Sequence, residues 1–65
     1  NINTVQIYDT LNNGICFSQW NGNRYLYITH QTCVVTTKLG EVITTWGESS
    51  FGENIKRIIE IFFGG

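Results

Sequence analysis

The sequence predicts an α+β domain dominated by β-structure: a small, twisted antiparallel sheet of four or five strands in meander order, followed by one C-terminal amphipathic helix. Three observations carry this. Alternating or β-branched runs recur between turns rich in Asn and Gly, and the apolar period changes from two to three-and-four after residue 50. A chain of 65 residues also has room for one core at most, so residues 1–65 read as a single small domain.

The elements follow in order. Thr4-Val5-Gln6-Ile7-Tyr8 alternates polar and apolar side chains, as a strand with one buried face does. Asn12-Asn13-Gly14 tolerates the positive φ of a turn, and Ile15 to Trp20 reads as the next strand. Asn21-Gly22-Asn23 joins it to Arg24–Thr29, Asn-Gly being the strongest short-range hairpin signal. Thr32–Thr37 and Glu41–Trp46 are rich in Val, Ile and Thr, and Lys38-Leu39-Gly40 between them suits a bulged hairpin. In the third run Tyr25 and Tyr27 share one face, with Leu26 and Ile28 on the other, so that strand reads as covered on both sides.

Ser50-Phe51-Gly52-Glu53 fits a capping box, and Phe51, Ile55, Ile58, Ile59 and Phe62 then recur at helical spacing. Glu53 precedes Arg57 by four residues in the favourable order, and Gly64 suits a left-handed cap. Ile61 and Phe63 widen the apolar arc beyond the roughly 100° that packing on one sheet requires, which predicts a second contact.

Composition excludes several classes. Four Lys/Arg against five Asp/Glu give a net charge of −1, which suits neither a generally basic nucleic-acid binder nor an acidic tail. No apolar run approaches the roughly 18 residues of a membrane span. Cys16 and Cys33 are the only thiols. They read either as two half-buried strand cysteines or as one bridge closing a loop of about 17 residues. With one histidine and no paired-ligand spacing, no metal site and no cofactor motif is read. The chain opens at Asn1, which reads as a processed product or as the C-terminal part of a larger chain.

His30 is the one side chain suited to exchange a proton near neutral pH. Arg24 offers a forked donor and Lys38 a point charge for phosphate, while Thr32 and Thr45 offer hydroxyls to an oxyanion. Converged, these groups could cleave RNA, with His30 taking the 2′-hydroxyl proton and Arg24 stabilising the charge on phosphorus. Of the carboxylates, only Glu41 and Glu48 flank the same strand, at its opposite ends, which gives little support to paired-carboxylate chemistry. Trp20, Tyr25, Tyr27 and Trp46, with Asn21 and Asn23, form a second constellation suited to stacking on sugars or bases.

The segment from Tyr27 to Trp46, with Val34-Val35, a turn at Gly40 and then Val42-Ile43-Thr44, resembles the end of the ribonuclease toxin domains found at the C-termini of bacterial contact-dependent inhibition and other polymorphic toxins. That group shares a barnase-like, colicin-like and RelE-like fold, usually with one or more helices ahead of the sheet. The resemblance covers about 20 residues. It implies RNA or transfer RNA cleavage without metal, delivery from a bacterium into a target cytoplasm, and a cognate immunity protein as partner. It makes His30 the acid or base, Arg24 and Lys38 phosphate contacts, Thr32 and Thr45 hydroxyl donors, and Tyr27 and Trp46 substrate-binding residues.

Two readings compete with it. One is a non-enzymatic module that binds a protein, a further copy or a missing N-terminal portion through a sheet edge or helix face. The other is a small glycan or nucleotide binder built on Trp20, Asn21, Asn23 and Tyr25.

Overall fold

The computed structural model describes residues 3–19 and 22–64. Its order is helix α1 (Thr4–Asn13), strands β1 (Ile15–Gln19), β2 (Arg24–Ile28), β3 (Thr32–Thr37) and β4 (Val42–Gly47), a 3₁₀ turn over Glu48–Ser50, and helix α2 (Glu53–Phe63). The four strands form one antiparallel sheet in the order β1-β2-β3-β4, so the α+β class and the meander are as the sequence predicts.

The first element is corrected: Thr4–Tyr8 belongs to a helix, and of the four or five strands expected the described residues form four. Asn3 caps that helix. Its Oδ1 accepts from the Gln6 amide at 2.8 Å, and the Gln6 side chain accepts from the Asn3 amide at 3.1 Å, a reciprocal capping box. Five alternating residues are too few to separate the two periods. Over the longer window Gln6, Ile7, Thr10 and Leu11 recur at helical spacing and are the residues α1 turns inward, while Val5 and Tyr8 stay exposed. With two helices of 10 and 11 residues, the domain is about as helical as it is stranded, not β-dominant.

The sheet carries a helix on each face. Leu26, Ile28 and Cys33 point to one side, where they pack with Phe51 and Ile59, flanked by Phe17, Val35, Trp46, Ile55, Ile58 and Phe63. This face belongs to α2. Thr32, Val34 and Thr36 point to the other side and are buried with Thr10 beneath α1, whose backbone lies close to β3 and β2. Small side chains at Thr10, Thr32 and Thr36 allow that approach. The end of α1 comes close to β2: a Cβ on Gly14 would lie 2.9 Å from the Ile28 carbonyl oxygen, and 2.5 Å from that of Thr10 in the last turn of α1 itself.

The β3–β4 connection shows the expected bulge, with the register shifting between Val35 and Thr36 and Gly40 at φ 94°. The start of α2 differs from expectation. Ser50 ends the 3₁₀ turn and caps nothing, and the N-cap is Gly52, without a side-chain bond. Gly64 closes the helix in the left-handed region at φ 75°, as expected, and donates to the Glu60 carbonyl. The inner stripe also shifts. Phe63 turns inward, whereas Ile61 and Phe62 are 69 % and 56 % exposed.

No disulfide joins the cysteines. Cys16 pairs with Tyr27 and Cys33 with Ile28, so the two thiols point to opposite faces of the sheet, Cys16 exposed and Cys33 buried. Burial alone pushes the Cys33 thiol up from 9.0 to about 12.

Candidate functional site

The β2–β3 turn is held by Thr29. Its hydroxyl accepts from the Gln31 and Thr32 amides at 3.3 and 3.2 Å, and its amide donates to the Thr32 carbonyl at 2.9 Å. A residue with a short hydroxyl side chain can close a turn on its own backbone in this way. His30 is thereby carried outward at the tip, exposed, with its ring 4.6 Å from that of Phe63.

One further bond sets the site. The Glu48 amide donates to the Gln31 carbonyl at 3.0 Å, tying the 3₁₀ turn after β4 to the residue beside His30. Helix α2 crosses the same region and presents Lys56 and Glu60, one turn apart, beside the buried Ile59. These groups line an open cavity of about 370 Å³ whose walls are His30, Glu48, Phe51, Lys56, Ile59 and Glu60. It therefore holds an imidazole, two carboxylates and an ammonium over an apolar floor. In charge it is mixed, and it becomes balanced when His30 is protonated.

The residues singled out from the sequence do not converge here. Arg24 stands at the start of β2 opposite Gln19 and Thr37, separated from Ile28 by about 13 Å of strand. Lys38 lies at that same far end, its amide donating to the Asn23 carbonyl, so the two cations are neighbours of one another and not of His30. Thr32 is 1 % exposed beneath α1, where its hydroxyl has no hydrogen-bond partner. Thr45 donates its hydroxyl to the Cys33 carbonyl at 2.8 Å. Trp46 lies on the α2 face opposite Cys33, and Tyr27 on the α1 face opposite Cys16 and Val34. The Tyr27 phenol is raised above its ordinary 10.0 by burial first and then by the Cys16 thiol beside it. Of these residues only His30 lines this cavity.

Glu48, Lys56 and Glu60 escaped the sequence reading. Lys56 and Glu60 do carry a signal, four residues apart on the flank of the apolar stripe. Nothing in the sequence links them to His30, because Glu48 is brought there by the Gln31–Glu48 backbone bond and Lys56 and Glu60 by the course of α2. Of the stacking constellation, Trp20 and Asn21 lie outside the described residues, Tyr25 is half-buried and Asn23 exposed. Among the described residues no three His, Cys, Asp or Glu side chains gather to hold a metal ion. Among the described residues no helix is long and apolar enough to cross a membrane.

In comparisons with protein-family models, with curated proteins and with solved structures, nothing matches the chain.

Proposed function

We propose that this chain is a metal-independent ribonuclease domain whose site is the His30 cavity. The observation that carries the reading is the meeting of His30, Glu48, Lys56 and Glu60 in one opening. A carboxylate and an imidazole are the base and acid that transesterification of RNA requires, and an ammonium suits the phosphate. Helix α1 ahead of the sheet also agrees with the toxin group that the Tyr27–Trp46 segment resembles.

In this reading Glu48, tied beside His30, takes the proton of the 2′-hydroxyl. The O2′–phosphorus bond forms and the phosphorus–O5′ bond breaks. Protonated His30 gives its proton to the leaving O5′, and the products are a 2′,3′-cyclic phosphate and a free 5′-hydroxyl. Lys56 offsets the charge on the phosphorane, and Glu60 lines the cavity one turn away. An immunity protein that covers this mouth would silence the domain.

The test is incubation with total transfer RNA in EDTA. Wild type should cleave it, and His30→Ala or Glu48→Gln should lose roughly 100-fold or more in rate while remaining folded. Arg24→Ala and Lys38→Ala should stay within about threefold, because neither reaches the cavity. Intact RNA after incubation with folded wild type, or full activity in His30→Ala, refutes the reading.

A second reading, the non-enzymatic module, is favoured by a different observation. Ile61 and Phe62 expose apolar surface at the end of α2, and Phe62 meets Phe17 edge-on at 6.0 Å. Such a surface suits a protein partner or a further copy of the chain.

A further inference from the structure

A second and larger cavity, about 600 Å³, opens between the sheet and the first turns of α2, on the helix face adjacent to the one that lines the His30 cavity. Its floor is apolar, made by Leu26, Ile55 and Ile58, and Trp46 lines it as the one aromatic side chain among the described residues. Val35 and Gly52 also line it, together with three polar residues, Gln19, Glu53 and Asn54. Neither the proposed cleavage nor the packing of the core uses these polar groups.

We propose that this cleft binds a planar heteroaromatic ring of nucleobase size that carries an amino donor. The volume lies within the range of small-molecule sites, as does the balance of an apolar floor with a few polar groups. Trp46 supplies a flat surface for which a ring is the fitting partner, since stacking needs only a π-face. The polar set decides which ring. Gln19 and Asn54 each offer an acceptor and a donor, whereas the Glu53 carboxylate only accepts, so a ring with an exocyclic amine is matched and one without it leaves a carboxylate unanswered. The same carboxylate disfavours a phosphate at this position, and the cleft lining includes no cation among the described residues. The ring could arrive as a free nucleoside or as a base of a strand. The inference stands on the cleft alone and does not require that the chain cleave RNA.

The experiment is a titration of the isotope-labelled chain, followed by amide NMR shifts. Adenosine should produce saturable shifts at Trp46, Ile55 and Ile58 in the millimolar range or below. Purine riboside, which lacks the amine, should bind roughly 3- to 10-fold more weakly. Glu53→Gln, at an exposed position, should weaken adenosine binding by a similar factor without altering the fold, which covers the case in which Trp46→Leu fails to fold. Shifts produced by an oligoadenylate but not by adenosine would support the ring site with a strand as its source. The proposal is overturned if neither ligand shifts these residues at 10-fold above the millimolar range, or if cyclohexanol shifts them as strongly as adenosine. RNA cleavage without ring binding would leave the proposed function standing and remove this site.

Discussion

Replacing Gly14 with alanine probes the closest contact between α1 and the sheet. Gly14 sits at φ −73° and ψ 161°, a conformation open to any residue, so backbone strain plays no part. On local grounds Ala should even stabilise the fold by about 0.4–1 kcal/mol, because it reduces the freedom of the unfolded chain. Two backbone contacts oppose this, one with the last turn of α1 itself and one with β2. The new Cβ would stand 2.5 Å from the Thr10 carbonyl oxygen and 2.9 Å from that of Ile28, and neither is a side chain that can swing away. The Thr10 oxygen is also held by the Gly14 amide at 2.9 Å. Relief requires the last turn of α1 to open and its end to shift away from β2, and overpacking of this kind costs about 1–3 kcal/mol or more. The clash wins. Gly14→Ala should lose roughly 2 kcal/mol in urea unfolding followed by far-UV circular dichroism, lowering the midpoint of thermal unfolding by roughly 8–16 °C. Gly52→Ser is the control, because nothing lies within 4 Å of a Cβ there and serine is a good N-cap. A Gly14→Ala protein as stable as wild type would refute the packing of α1 described above.

Other expectations concern the same layers and the two cysteines. Thr32→Val should raise stability by about 1 kcal/mol in the same assay, since the Thr32 hydroxyl is buried without a partner and a methyl of similar shape has nothing to satisfy; a loss instead would show that the hydroxyl is bonded. In the native state a thiol reagent near pH 8 should modify Cys16 and spare Cys33, and both should react in denaturant, as counted by mass spectrometry. Cys33 and Tyr27 hold their protons to higher pH in the folded chain than in the unfolded one. The stability they contribute is therefore complete below about pH 9 and is lost as the pH rises toward 12, which alkaline unfolding should show and Cys33→Ala should reduce. Phe62→Ser should lower any self-association seen by analytical ultracentrifugation while leaving the far-UV spectrum unchanged, because Phe62 is 56 % exposed.

The parts of the molecule legible in the sequence share one property: their physics is local. The turn at Lys-Leu-Gly, strands made of Val, Ile and Thr, and a helix capped by Gly64 are each decided within a few residues, and all appear among the described residues. The residues from 4 to 8 are the instructive exception. Their alternation fits a strand, yet Asn3 and Gln6 cap one another and the inward set of the helix only becomes visible over a longer window. A local signal was present and a shorter one was read in its place. Ser50 shows the converse, a capping box by spacing whose backbone is taken up in a 3₁₀ turn.

His30 could be picked out from the sequence because a single imidazole is conspicuous, but its neighbours could not. Strand pairing places Arg24 and Lys38 at the end of the sheet away from His30, since successive hairpins send the chain back and forth along the strand axis. Composition and local pattern thus determined the class, the meander and the final helix of this protein. Which side chains stand together was decided only by tertiary structure: by strand register, by the side of the sheet each helix covers, which brings Lys56 and Glu60 to the histidine, and by the Gln31–Glu48 bond, which brings Glu48 there. Those contacts join residues from 17 to 30 positions apart, and a long-range contact is a property of the packed layers, to which no short window of sequence responds.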